Sequence, residues 1–226
     1  MRVAKELAAL FLVGVLGSGS AAAAWLETSE GCRVFMNKLP EKAEARWSGA
    51  CSEGMATGQG TLVTETRYGE LTRRSEISGR MQEGRFTGPV RLNTGNGDIF
   101  EGELTEGRLV RARIRFADGR LYEGDIRNAG PHGQGSMTYP DGGRYVGSWR
   151  YQLRHGEGSF VTSKGMQISG TFKNDRLRGR ARFVLPDGTW YEGPTRRQRP
   201  HGKGRCGRAE STDSAKCAFR NGVMVQ

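Results

Sequence analysis

The sequence predicts an all-β fold, an antiparallel meander of stacked two-stranded hairpins. Three observations predict it. The first is a period: Tyr122-Glu123-Gly124, Tyr145-Val146-Gly147, Ile168-Ser169-Gly170 and Tyr191-Glu192-Gly193 begin 23 residues apart. A glycine follows each leading residue by 11, at Gly133, Gly156, Gly179 and Gly202. A unit this small cannot bury a core alone, so neighbours must stack. The second is alternation. Tyr145, Gly147 and Trp149 share one strand face, as do Gly156, Gly158 and Phe160. The third is punctuation: Asp118-Gly119, Pro140-Asp141-Gly142 and Pro186-Asp187-Gly188 mark turns between units. A hairpin loop is expected at Arg150–His155. At roughly 4.8 Å per strand, each unit advances the sheet about 10 Å.

Residues 1–24 read as a secretory signal. Arg2 and Lys5 precede the apolar run Leu7–Leu16, and small residues lead to Ala22-Ala23-Ala24. The pattern is of bacterial type, with cleavage expected after Ala24. The apolar run is short for a membrane span, and no other segment could supply one. No cysteine follows it for lipid attachment. The mature chain is therefore expected to be secreted or periplasmic.

Residues 25–46 form the strand and loop of an N-terminal capping hairpin. Cys32–Met36 is expected to pair with Arg46–Cys51 around a loop near Pro40-Glu41, setting Cys32 opposite Cys51. Residues 47–121 carry divergent repeats led by Trp47, Ile77 and Phe100. Trp47 and Ile77 are 30 apart, so the hairpin around Arg67–Glu70 is expected to be longer. Residues 122–208 hold the well-matched repeats. Residues 209–226 are a truncated last copy and cap, with Cys217 where a glycine should stand. Cys206 aligns with Met137 and Cys217 with Gly147, near-opposite positions around a turn. Cys32–Cys51 and Cys206–Cys217 are thus the expected disulfides. An even cysteine count in an exported chain favours bridges over metal, and no Cys-x-x-Cys is present.

The run from Tyr122-Glu123-Gly124 through His132-Gly133-Gln134-Gly135 to Tyr139-Pro140-Asp141-Gly142 resembles the MORN repeat (membrane occupation and recognition nexus). The likeness is strong over 122–204 and weaker over 47–121. It implies a single-layer, twisted, open sheet of stacked hairpins. It also implies a binding or scaffolding role, since members are associated with membranes, phosphoinositide lipids and protein scaffolds.

Composition fits a thin core: 35% hydrophobic residues and 35 glycines in 226. The expected packed face carries Tyr122, Ile126, Met137, Tyr139, Tyr145, Trp149, Phe160, Ile168, Phe172, Phe183 and Tyr191. Charge is uneven. Trp25–Ile99 has ten basic and ten acidic residues, and Phe100–Arg208 has 21 and 11. Arg127, Arg150, Lys173 and Arg196 share one repeat position, and Arg199 adds to the loops. Arg178, Arg180, Arg182, Lys203 and Arg205 join them as candidate anion-binding residues. An anionic membrane surface or envelope polymer would suit such a surface. Export argues against nucleic acid. The competing reading is a solvated edge that blocks aggregation, in a structural or protein-interaction scaffold using sheet edges and the aromatic face.

Catalysis finds no support. His132, His155 and His201 share one repeat position, and Asp118, Asp141 and Asp187 are turn residues. Periodicity accounts for each candidate, so no catalytic, metal or cofactor site is expected.

Overall fold

Each repeat turns on two residues. In the computed structural model, which describes residues 24–36, 43–209 and 214–225, the hairpin tips carry consecutive left-handed residues. These are Glu53-Gly54, Glu83-Gly84, Glu106-Gly107, Asn128-Ala129, Tyr151-Gln152, Asn174-Asp175, Arg197-Gln198 and Asn221-Gly222, with φ between 48° and 87°. Paired positive φ defines the primed turn, whose twist matches that of the flanking strands. The loop expected at Arg150–His155 is therefore only Tyr151 and Gln152. The expected signal peptide, apart from the Ala24 backbone, lies outside the described residues, as does the loop near Pro40.

The chain divides into two units, Met1–Gly130 and Pro131–Gln226. The first contains β1 (Ala24–Glu27), β2 (Arg33–Met36), β3 (Ala43–Trp47), β4 (Ala50–Ser52), β5 (Met55–Tyr68), β6 (Leu71–Gln82), β7 (Arg85–Asn93), β8 (Ile99–Thr105), β9 (Arg108–Leu109), β10 (Arg111–Arg115) and β11 (Leu121–Arg127). From β3 onward it is an antiparallel meander, with β3 and β4 both on β5 and β10 returning to β8. The lengthened hairpin is β5–β6, turning at Gly69-Glu70 as the 30-residue spacing requires.

The N-terminal segment differs from expectation. β2 pairs with β1, Trp25 opposite Phe35, rather than with Arg46–Cys51. Its outer edge meets the hairpin tips instead. Arg33 N–H donates to Gly54 O at 2.8 Å and Phe35 N–H to Gly84 O at 2.7 Å. The physical reason is burial. This placement sinks Cys32, Val34 and Met36 into one cluster with Ala45, Trp47, Ala56, Leu62 and Met81. Cys32 still bonds Cys51, with Cα atoms 5.7 Å apart, but it reaches across from the covering hairpin. Glu30 secures the same end: its carboxylate accepts the Trp47 backbone N–H at 2.8 Å. That bond and one from the Ser29 hydroxyl hold its pKa down at about 2.

The second unit contains β12 (Gly130–Thr138), β13 (Arg144–Arg150), β14 (Leu153–Val161), β15 (Gln167–Lys173), β16 (Arg176–Val184), β17 (Thr189–Arg196), β18 (Arg199–Pro200), β19 (Gly202–Arg208), β20 (Ser214–Arg220) and β21 (Val223–Val225). Consecutive strands pair antiparallel, β17 taking both β18 and β19. Gly204 faces Cys217 and Cys206 faces Ala215, so the Cys206–Cys217 bridge runs diagonally with Cα atoms 5.9 Å apart.

Two devices build the packed face. Where the leader is Trp47, Tyr145 or Tyr191, its ring folds back over glycine. A Cβ on Gly147 would lie 2.7 Å from the Tyr145 hydroxyl and 2.6 Å from Glu157 O. The aromatic's polar tip then satisfies a carbonyl three residues on: Tyr122 to Asp125 at 2.6 Å, Tyr145 to Ser148 at 3.1 Å and Tyr191 to Pro194 at 3.0 Å. Trp47 does the same through Nε1 to Ala50 O at 2.9 Å. Burial pushes the Tyr145 phenol up to about 12, so it stays protonated as a donor. The second device is a bulge. Gly147 faces Gly158 but Trp149 faces Arg154, so β14 carries extra residues around Gly156, where φ is +71°. The glycine 11 residues after the leader thus provides the left-handed bulge residue, a role different from the close packing over Gly147 and Gly158.

Candidate polyanion-binding face

The packed face takes alternate residues of each strand and leaves the others to solvent. In the second unit the solvent-side rungs can be followed strand to strand. Ser159 faces Ser169, Ser169 faces Arg182, Arg182 faces Glu192, Glu192 faces Arg205 and Arg205 faces Lys216. Polarity therefore changes across the unit. Hydroxyls occupy β14 and β15, and basic side chains occupy β16, β19 and β20.

The structure gathers part of the expected set here. Arg178, Arg180 and Arg182 line β16, and Lys203 and Arg205 line β19, all exposed. Arg182 is engaged: it pairs with Glu192 at 3.2 Å and lies over the Trp190 ring at 4.2 Å. Arg205 Nε donates to the Ser214 hydroxyl at 3.1 Å. Arg150, Lys173 and Arg196 are the last strand residues before their tips, so they sit at hairpin ends rather than in loops. Arg127 ends β11, in the first unit. Arg176, which the sequence offers only as one more loop charge, and Lys216, which sequence reasoning missed, belong with the second-unit residues. Their signal was opposition: Lys173 faces Arg176, Arg196 faces Arg199, and Arg205 faces Lys216. Like charges directly opposite destabilise a sheet.

The tips at Tyr151-Gln152, Asn174-Asp175 and Asn221-Gly222 each dock on the repeat before them. Gln152 N–H donates to Pro131 O at 2.9 Å, Asp175 N–H to Arg154 O at 3.0 Å and Gly222 N–H to Pro200 O at 2.8 Å. Each acceptor lies nine residues after its repeat's leader. These bonds seat the hairpin ends of β13–β14, β15–β16 and β20–β21 on the repeat before each.

The first unit has the same rungs with a different charge pattern. Arg91 faces Glu101, which faces Arg113, which faces Glu123. Arg91–Glu101 closes at 2.6 Å and Arg113–Glu123 at 2.9 Å, with Arg111–Asp125 beside them at 3.6 Å. Among the described registers of this unit no basic residue faces another. The charge boundary accordingly falls later than the sequence division at Phe100. Trp25–Gly130 has 16 basic and 16 acidic residues, and Pro131–Gln226 has 17 and 7.

The histidines remain repeat residues. His132 packs edge-on to Tyr151, and His201 Nδ1 accepts the Asn221 N–H at 3.3 Å. Among the described residues no three His, Cys, Asp or Glu side chains gather as a metal set, and no helix is long and apolar enough to cross a membrane.

A search of curated proteins found no match. The MORN repeat family model matches residues 122–144, 145–167 and 169–190. These spans are the hairpins led by Tyr122, Tyr145 and Ile168, each turning on the paired left-handed tip described above. Residues 122–190 are three consecutive MORN repeats, and the chain is a MORN repeat protein.

Proposed function

We propose that this protein is a non-catalytic, exported binding module that holds an anionic partner at the cell envelope through the solvent face of its second unit. The observation that carries this reading is the set of basic–basic rungs at Lys173–Arg176, Arg196–Arg199 and Arg205–Lys216. Each costs the sheet stability, and an anion lying across the strands would relieve all three. The first unit, with paired charges on the same scaffold, shows that the repeat does not require this cost. Two bridged cysteine pairs suit an oxidising compartment, in keeping with the signal read at 1–24. The partner is a lipid headgroup surface or an envelope polymer.

Co-sedimentation with phosphatidylglycerol vesicles and retention on heparin test the reading. Wild type should bind at low salt and be released as salt rises, because exposed charges are screened within about 8 Å at physiological ionic strength. Arg178→Glu/Arg180→Glu/Lys203→Glu should lose binding, and Arg91→Glu/Arg113→Glu should retain it. Loss in both variants, or no binding by wild type to either probe, rejects the anion-binding reading. Fractionation of expressing cells, with the mass of the mature chain, tests export.

A scaffold reading has one observation of its own. β21 is a three-residue outer strand whose Val223 and Met224 are 68% and 64% exposed, a surface suited to strand addition. Salt-insensitive association of the pure protein would favour it.

A further inference from the structure

One repeat position is apolar everywhere but once. Nine residues after each leader stand Ala56, Phe86, Leu109, Pro131, Leu177 and Pro200, and in the Tyr145 repeat stands Arg154. Leu177 at the equivalent place is buried, only 6% exposed. The Arg154 side chain is itself only 18% exposed. Its guanidinium lies over Tyr145, Phe160 and Phe172, with centroid distances of 5.7, 5.6 and 5.3 Å.

Asp175 holds this arginine without using it up. Nε donates to Asp175 Oδ1 at 3.2 Å and Nη2 to Asp175 O at 2.9 Å. Nη1 has no hydrogen-bond partner among the described residues. Asp175 also accepts the Arg154 backbone N–H at 2.8 Å, so the pair is fixed to the hairpin tip.

Arg154 lines a groove of about 760 Å³ on the packed face of the second unit, with Tyr139, Phe160, Phe172 and Leu177 as apolar walls. Arg197 and Arg199 stand at its rim with Asp141. We propose that this groove binds a small amphiphilic carboxylate, its apolar body against the rings and its carboxylate on Arg154. Ligand sites of this kind have volumes of about 300–1,000 Å³, mostly apolar walls and a few placed polar groups. A docked protein would need about 1,200 Å² or more of total buried surface, which a groove of this size does not supply. A mostly buried guanidinium with three of its five N–H donors unused is a strong carboxylate anchor, because charge-assisted bonds gain strength away from water. The site shares only its rim residue Arg199 with the basic rungs and includes none of Arg178, Arg180 and Lys203.

The test is titration calorimetry with monomeric laurate, and with dodecanol as the uncharged probe. Wild type should bind laurate at least tenfold more tightly than dodecanol. Arg154→Leu, which installs the residue type of Leu177, should lose that preference and keep dodecanol binding. Phe160→Ala, which leaves the Arg154–Asp175 pair in place, should weaken both probes. Arg178→Glu/Arg180→Glu/Lys203→Glu should leave laurate binding unchanged, which separates this site from the proposed polyanion face. Failure of wild type to bind laurate, equal affinity for dodecanol, or undiminished laurate binding by Arg154→Leu or Phe160→Ala overturns the proposal.

Discussion

The two units use one hairpin plan and opposite charge policies. Both turn on paired left-handed residues and pack a leading aromatic over glycine, Trp47 over Gly49 and Gly60 in one and Tyr145 over Gly147 and Gly158 in the other. On the solvent side the first unit alternates sign along a rung, Arg91–Glu101–Arg113–Glu123, whereas the second sets like charges opposite at Lys173–Arg176, Arg196–Arg199 and Arg205–Lys216. The difference shows that the scaffold lives on one face and leaves the other free. Backbone pairing and aromatic–glycine contacts fix the strands, so the outward residues can be tuned for something other than stability.

Four measurements break or sharpen that comparison. The bridges should matter most, and alike in both units. Replacing Cys32 and Cys51 with serine opens a loop of sequence separation 19, and replacing Cys206 and Cys217 one of 11. Each should cost about 3 kcal/mol by chain-entropy reasoning, read from urea melts. Valine at the packed glycines comes next. A Cβ on Gly60 would lie 2.6 Å from the Trp47 ring, and one on Gly147 meets backbone at the same distance. Gly60→Val and Gly147→Val should each lose about 1–3 kcal/mol. Insensitivity in either would mean that the units do not share a packing rule.

The charge contrast makes the third. Lys216→Glu should stabilise by about 0.2–1 kcal/mol, because it gives Arg205 an opposite partner. Glu101→Lys should destabilise by a similar amount, because Arg91 and Arg113 both face it. Thermal melts at low salt decide this, and the same sign for both would remove the comparison. The smallest effect belongs to acid. Glu30 has its folded pKa depressed to about 2 from 4.5. Its contribution is therefore complete above pH 4.5 and is lost as pH falls toward 2. Glu30→Gln should lower stability at neutral pH and leave it nearly unchanged near pH 2, flattening that part of the profile.

Much of the fold was legible because the period is exact in four copies. The hairpins, the lengthened β5–β6 and the turns at Asp141-Gly142 and Asp187-Gly188 all follow from spacing. Tip length was not legible, because Tyr151-Gln152 and Arg197-Gln198 carry none of the usual turn residues. The partner of β2 was hidden for a different reason: a strand that bonds hairpin tips obeys no repeat. Of the candidate site, residue type and exposure were readable at Arg178, Arg180 and Lys203. Which charges face each other was not, since the bulge at each repeat's glycine shifts the register by residues that alternation alone does not count. Arg154 was within reach of the sequence. Aligning the position nine after each leader isolates it, but it looked like one more basic residue until the rings around it were known.

The serial docking of tips has a consequence for how such a chain can change. A docked tip bonds the carbonyl of the repeat before it, as Asp175 does to Arg154. Inserting or deleting one whole 23-residue copy would leave every remaining bond with a partner. Gene duplication can then lengthen the protein as beads are added to a string. A copied hairpin such as β15–β16 would bring its own Lys173–Arg176 rung with it. Copy number would set the dose of positive charge in discrete steps, a quantity that selection could adjust without redesigning any single repeat.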